Sequence, residues 1–169
     1  MRVCTISIVA GVVLLFSTKV YAPHNIYRDS NIEIYLEDCE KKQRIDLILK
    51  TIKWIETNNN YTLTGKSGEY GAYQFTKNTW DHYCNLFFDK NLDIKIKENQ
   101  DKIALLKVTS LVNKGYSNKQ IASIWNSGSA NWNNKIGINK KGVRYNTPHY
   151  VSKFDKTYKN YVLQHKTAK

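Results

Sequence analysis

The chain has 169 residues, a length that fits one domain with a modest hydrophobic core. Its 41% hydrophobic residues exclude an intrinsically disordered polypeptide. Its 26 basic residues outnumber 14 acidic ones, which favours binding to polyanions or anionic surfaces, although charge alone does not choose between bacterial cell wall, acidic lipid and nucleic acid.

Residues 1–22 are typical of a secretory signal peptide. Arg2 gives a positive start, residues 3–16 are almost wholly apolar, and residues 20–22 (VYA) place small side chains where a signal peptidase cleaves. The stretch is short for a membrane span and Lys19 interrupts it, so a retained N-terminal anchor is the alternative. Cleavage would leave 24 basic and 14 acidic residues, a net charge of +10. We expect an exported protein, periplasmic or extracellular, without a stable membrane span.

Two cysteines, Cys39 and Cys84, remain after the predicted cleavage. In an oxidising compartment a Cys39–Cys84 disulfide is expected, and two free buried thiols are the alternative. The four histidines show no zinc spacing, and we predict neither a metal nor another cofactor.

Residues 23–43 are predicted to form a lead-in to a single domain at 44–165. Within the lead-in, Ile32, Ile34 and Leu36 alternate with polar residues, which suggests either a short strand or an irregular segment. No internal repeat or linker divides the rest of the chain.

A helix is predicted over residues 44–56, and Glu56 lies at its end. Apolar residues recur there at helical spacing, namely Ile45, Ile48, Leu49, Ile52 and Ile55. Glu56 falls on the same stripe, so partial burial and the negative end of the helix dipole should both raise its pKa. Three asparagines at 58–60 end the helix.

The following segments alternate between loops and helices. Residues 61–75 contain three glycines and are predicted to form loops around a short β-hairpin. Thr76 is expected to cap a second helix, and Asn99 a third helix that ends at Gly115.

The last third of the chain has clearer boundary signals. Ser117 and Gln120 form a capping-box pattern for a helix that ends at Gly128. Residues 131–146 are polar and are predicted to form a loop over one face. Thr147-Pro148 opens a final helix with proline at its first position. These elements predict a mainly α (α+β) domain with one short β-hairpin.

Five short segments carry the chemistry, and their order is informative. They are residues 55–57 (IET), 67–75 (SGEYGAYQF), 79–80 (TW), 124–128 (IWNSG) and 147–151 (TPHYV). This order resembles the lytic transglycosylase branch of the lysozyme-like superfamily over roughly residues 45–161. Residues 70–80 also resemble the matching stretch of resuscitation-promoting factors. Each motif alone is weak, and their shared order carries the resemblance.

The resemblance implies a lysozyme-like domain with its hairpin beside an active-site cleft, and it makes Glu56 the single catalytic acid/base. The implied reaction is cleavage of the β-1,4 bond between MurNAc and GlcNAc in peptidoglycan. A carboxylic acid with a raised pKa can protonate the leaving oxygen near neutral pH. The same carboxylate would then take a proton from the 6-hydroxyl of the sugar, which leaves a 1,6-anhydro-MurNAc end.

Polar and aromatic residues near Glu56 are expected to bind the acetamido sugars. The predicted substrate-binding residues are Thr57, Ser67, Glu69, Tyr70, Tyr73, Gln74, Asn126 and Tyr150. Gln74 follows Tyr73 in a predicted strand, so the two should face opposite ways, with Gln74 in the cleft.

The chain departs from the family pattern at two positions. Thr57 replaces the usual serine after the glutamate and keeps a hydroxyl. Trp125 stands where the family often has a tyrosine. If that tyrosine orients the glutamate, Tyr150 or Tyr73 would have to take over the role.

Other functions remain open at this level. Glu69 is either an exposed loop acid or a residue that positions a water, and in the second case the enzyme would be a lysozyme-type hydrolase. Non-catalytic binding to glycan or nucleic acid is also compatible with the charge, but the lysines are scattered and no nucleic-acid motif is present. The expected protein is a monomer that acts on glycan strands, with a secretion or conjugation apparatus as a candidate partner.

Overall fold

The computed structural model describes residues 30–167, so the predicted signal peptide lies outside the described residues. The chain divides into two compact units, Met1–Gln43 and Arg44–Lys169. The first is helical throughout its described part, and the second holds all the remaining elements.

The described part of the chain is mainly helical with one short antiparallel hairpin, as the sequence predicts. The elements are α1 (Ser30–Thr57), α2 (Lys77–Phe88), α3 (Lys97–Asn113), α4 (Asn118–Ser127), β1 (Ile136–Ile138), β2 (Arg144–Asn146) and α5 (Thr147–Thr167). The two strands pair with Gly137 opposite Tyr145. Among the described helices, none is both long enough and apolar enough to cross a membrane.

Helix α1 begins at Ser30, fourteen residues before the predicted start at 44. The alternation of Ile34 and Leu36 reflects neither a strand nor an irregular lead-in, because both side chains are exposed on the helix, at 59% and 46%. Residues 30–43 contain no glycine or proline, so nothing in the sequence interrupts the helix there.

The hairpin lies in the segment that was expected to be a loop. Residues 61–75 form only isolated bridges, in which Tyr70 pairs with Thr64 and with Phe75. The strands occur instead within 131–146, where Ile136 and Ile138 are exposed, at 62% and 61%. Since these strands bury no apolar face, the alternating pattern that marks a half-buried strand is missing.

Several predicted helix boundaries are confirmed. The Thr76 hydroxyl accepts a hydrogen bond from the backbone N–H of Thr79 at the start of α2. Ser117 and Gln120 form the capping box of α4, and Gly128 ends that helix with a φ of 74°. These boundaries depend on residues within one turn of each other, which is why the sequence reveals them.

Two predicted caps are wrong. Helix α3 starts at Lys97, before Asn99, and the Asn99 side chain donates instead to the backbone oxygen of Asp93. In α5, Thr147 is the first helical residue and Pro148 the second. The side chain of Asn146 caps this helix by accepting from the backbone N–H of His149.

The core of the second unit forms on the apolar stripe of α1, and all five residues predicted for that stripe are buried. Residues from the other helices pack in the same cluster, among them Ile103, Val108, Ile121 and Phe154. The stripe therefore holds the C-terminal end of α1, and Glu56 with it, against the core.

Cys39 and Cys84 are both free thiols in this structure, and the disulfide between them stays a prediction. Cys84 is fully buried in the core cluster, where it packs as a small hydrophobic side chain. Cys39 is partly exposed on the other unit.

Candidate active site

Glu56 is the next-to-last residue of α1 and stays partly exposed. Loss of hydration at this position raises the pKa of its carboxyl group from 4.5 to about 7. The hydrogen bond from Tyr150 and the charges of Lys153 and Lys107 lower the pKa, and the charge of Glu69 raises it. Desolvation dominates, so the carboxyl group can hold a proton near neutral pH.

Tyr150 fixes the orientation of Glu56. Its hydroxyl, on the first turn of α5, donates to Glu56 Oε1 over 2.7 Å. Burial, then the neighbouring carboxylate, raises the pKa of Tyr150 well above 10, so the phenol remains a donor at physiological pH. Of the two tyrosines that the sequence offered for this role, Tyr150 makes the contact.

Tyr73 belongs to a different network. Its side chain is 1% exposed, and its hydroxyl donates to Asp101 Oδ1 over 2.8 Å. Asp101 also accepts from the Tyr61 hydroxyl at 2.7 Å. The expectation that Tyr73 binds substrate is therefore corrected, because its ring is in the core and its hydroxyl is already engaged.

Trp125 is a packing residue at the junction of these elements. Its indole N–H donates to the backbone oxygen of Tyr73 over 3.2 Å, and its ring centroid lies 5.5 Å from that of Phe75. The residue that hydrogen-bonds to Glu56 is Tyr150 and not Trp125.

Gln74 lies in a tight turn and not in the predicted strand. Its φ of 50° is left-handed, and its Nε2 donates to the backbone oxygens of Gly71, at 2.9 Å, and Leu63, at 3.2 Å. The Gln74 side chain therefore holds together two parts of the loop at residues 61–75 by hydrogen bonds. Its Oε1 accepts from no residue in the described part of the chain, and this atom is what Gln74 can offer a ligand.

Glu69 and Gln74 converge over Gly65. A Cβ atom added to Gly65 would lie too close to Glu69 Oε2 and Gln74 Oε1, so the ends of these two side chains would have to shift. Glu69 Oε2 accepts from the backbone N–H of Ser67 over 2.9 Å, which holds the loop in shape. The charge of Glu69 raises the pKa of Glu56, so Glu69 acts electrostatically on the candidate active site.

The β1–β2 turn closes onto the same loop. Asn139 Nδ2 donates to Ser67 Oγ over 3.1 Å, and Lys141 Nζ donates to the Ser67 backbone oxygen. Ser67 therefore holds two segments together. Tyr70 is half-buried and contributes backbone hydrogen bonds to Phe75 in both directions.

Thr57 and Gln100 hold the turn that follows α1. Thr57 Oγ1 donates to the backbone oxygen of Ala72 over 3.1 Å. Gln100, fully buried on α3, accepts from the Ala72 N–H at 2.9 Å and donates to the backbone oxygens of Tyr61 and Ile94. Sequence reasoning missed Gln100. The signal for it is its position three residues before Ile103 and four before Ala104, on the buried stripe of α3.

Asn126 joins α4 to α5. Its Oδ1 accepts a hydrogen bond from the buried Thr147 hydroxyl over 2.9 Å. Asn126 itself is exposed. Its Nδ2 donates to no residue between 30 and 167, so this group is available to a ligand.

Two lysines near Glu56 were also missed. Lys153 Nζ donates to the backbone oxygen of Ile55 over 3.1 Å and so places a positive charge at the C-terminus of α1. Lys107 is only 6% exposed, and burial lowers its pKa to about 8. The signal for Lys107 is its position four residues after Ile103 on the buried stripe of α3.

The comparisons with known proteins do not identify the chain: no family model, curated protein or solved structure matches it. Within residues 30–167 no cluster of side chains could hold a metal ion. Two cavities, of about 300 and about 370 Å³, are not lined by Glu56. The candidate active site therefore rests on the chemistry around Glu56 and not on the size of a cavity.

Proposed function

We propose that the protein is a peptidoglycan lytic transglycosylase in which Glu56 is the catalytic acid and base. The observation that carries the proposal is one carboxyl group with a pKa of about 7, held by a 2.7 Å hydrogen bond from Tyr150. The order of motifs around it supplies the reaction class. A lysozyme-like fold for the domain is part of the same proposal.

The first step uses the protonated form of Glu56. Its proton passes to the glycosidic oxygen as the bond to C1 of MurNAc breaks, and positive charge develops at the sugar ring. The carboxylate left on Glu56 is stabilised by the Tyr150 hydroxyl and by the positive charges of Lys153 and Lys107.

The second step returns the proton. Glu56 takes a proton from the 6-hydroxyl of the same MurNAc, and O6 bonds to C1. The products are a GlcNAc-terminated strand and a 1,6-anhydro-MurNAc end, and Glu56 is protonated again. No water is consumed, so a second catalytic carboxylate is unnecessary.

Hydrolysis on the same site is the second candidate, and Glu69 is the observation that favours it. Its charge acts on Glu56, and its Oε1 accepts no hydrogen bond within the described part of the chain. That oxygen could direct a water to C1. Its other oxygen is occupied by the Ser67 N–H, which favours a structural role for Glu69.

Product analysis tests both candidates. Purified peptidoglycan is incubated with the wild type, Glu56→Gln and Glu69→Gln, and the fragments are examined by mass spectrometry. We expect anhydro ends from the wild type and from Glu69→Gln. Glu56→Gln should lose about 100-fold or more in rate, the usual contribution of general acid–base catalysis. Asp81→Asn, an acid-to-amide change on α2, is the matched control.

The outcomes separate the possibilities. Equal activity of wild type and Glu56→Gln would refute the role of Glu56. Reducing muramic acid ends, lost in Glu69→Gln, would replace the transglycosylase with a hydrolase. Glycan binding without cleavage by the wild type would leave a non-catalytic wall-binding protein.

Export to the periplasm or the cell exterior is part of the proposal, since the substrate is there. The net charge expected after signal cleavage, +10, supports association with an anionic wall. A secretion or conjugation apparatus is a candidate partner for an enzyme that opens the wall locally.

A further inference from the structure

Lys107 places a cation inside the core of the second unit. It lies on α3 among the buried residues Ile103, Val108 and Leu111, and only 6% of it is exposed. Its Nζ is 4.1 Å from the centroid of the Trp125 ring. An aromatic face offsets part of the cost of burying an ammonium group, but an unpaired charge in such a place remains expensive.

The ammonium group of Lys107 forms no ion pair and no hydrogen bond within the described part of the chain. The ion pairs there involve other lysines, and Lys107 Nζ donates no hydrogen bond to a described residue. No fully enclosed side-chain nitrogen or oxygen of the described residues lacks a partner. Lys107 Nζ must therefore reach solvent through an opening.

Contacts through Trp125 link Lys107 to the loop that follows Glu56, because the indole N–H of Trp125 donates to the backbone oxygen of Tyr73 over 3.2 Å. Glu56 is the carboxyl group whose charge acts on Lys107, and Lys107 acts on Glu56 in turn. In the step that cleaves the glycan, however, Glu56 starts in its neutral form. In the enzyme form that receives substrate, neutral Glu56 therefore offers Lys107 no counter-charge.

We propose that Lys107 binds a carboxylate carried by the MurNAc residue next to the scissile bond. This inference rests on the proposed function, because it places glycan at Glu56. Two sources share the chemistry: the lactyl carboxylate of a MurNAc without peptide, and a carboxylate of an attached stem peptide. A substrate anion would neutralise the ammonium group that the protein leaves unpaired.

The test measures binding, so that it does not depend on cleavage. The full chain with Glu56→Gln is titrated calorimetrically with a MurNAc–GlcNAc oligosaccharide in three forms: free lactyl acid, lactyl methylamide, and stem peptide attached. We expect a carboxylate-bearing form to bind about tenfold or more tightly than the methylamide, as for a charge-assisted hydrogen bond. The form that binds best identifies the source.

Variants of α3 assign the effect to Lys107. Adding Lys107→Met should bring the affinity ratio close to one, and Lys107→Arg should retain most of it. Lys102→Met, the same change at an exposed position of α3, should leave the ratio unchanged. Thermal unfolding of each variant confirms that it is folded, and Met is expected to be tolerated because it fills the site without a charge.

Two results would overturn the proposal. One is that neither carboxylate-bearing form binds more tightly than the methylamide. The other is that Lys107→Met weakens the binding of all three forms equally. The second result would mean that Lys107 acts only through Glu56 or the fold. Cleavage by the wild type is scored separately. Cleavage without a Lys107-dependent preference removes this inference alone, and a preference without cleavage removes the proposed enzymatic function alone.

Discussion

Replacing Glu56 by glutamine should stabilise the protein, and only above about pH 5. The carboxyl group has a pKa of about 7 in the folded chain and an ordinary value of 4.5 when exposed. Between these values the unfolded chain releases its proton while the folded chain keeps it. The stability of the wild type therefore falls as pH rises from 4.5 to 7 and levels off above that range.

The size of the effect follows from the two pKa values. Each pH unit between them corresponds to about 1.4 kcal/mol. The wild type should therefore lose up to about 3 kcal/mol of unfolding free energy between pH 4.5 and 8 because Glu56 must ionise. Glu56→Gln has no proton to release, and glutamine resembles the protonated acid in shape. The variant and the wild type should have similar stability at pH 4.5.

Urea unfolding at pH 4.5, 5.5, 6.5 and 8.0 measures this difference. Asp155→Asn is the control, because the hydrogen bond from Lys159 lowers the pKa of Asp155 and keeps it ionised throughout this range. The difference in unfolding free energy between Asp155→Asn and the wild type should not change from pH 5.5 to 8.0. If the difference between Glu56→Gln and the wild type is also flat, Glu56 is not desolvated and the physical argument for a general acid fails.

Three further predictions concern the residues around Glu56. Tyr150→Phe removes the hydrogen bond that lowers the pKa of Glu56, so the alkaline limb of the pH–rate profile, near pH 7 in the wild type, should move upward while the maximal rate falls about tenfold. Gly65→Ala should cost about 1 kcal/mol in unfolding free energy and reduce activity, because its methyl group forces the side-chain ends of Glu69 and Gln74 to shift. Gln100→Leu should cost about 2–4 kcal/mol in chemical denaturation, because the Ala72 N–H loses its partner.

Each of these has a clear contrary result. An unshifted pH profile in Tyr150→Phe would mean that the phenol does not act on Glu56. Wild-type stability in Gly65→Ala would show that the loop has room to move. A small loss in Gln100→Leu, comparable with that of Gln164→Leu at an exposed position of α5, would mean that water replaces the buried amide.

Local signals were sufficient for several parts of this protein. The apolar stripe of α1 placed Glu56 at a helix end facing the core, and the capping box at Ser117 fixed the start of α4. These features depend on residues within one or two helical turns, so a helical period or a cap motif is enough to reveal them.

The tertiary structure decided the contacts between distant segments. The sequence left Tyr73 and Tyr150 as alternatives, and only the packing of α5 brings the Tyr150 hydroxyl to Glu56, 94 residues away in sequence. The hairpin at 136–146 gave no amphipathic pattern because its isoleucines are exposed. The spacing of α3 places Lys107 on a buried stripe, but only the packing of the elements shows that it forms no ion pair within residues 30–167. Such contacts arise from packing between elements, which no local pattern in the chain encodes.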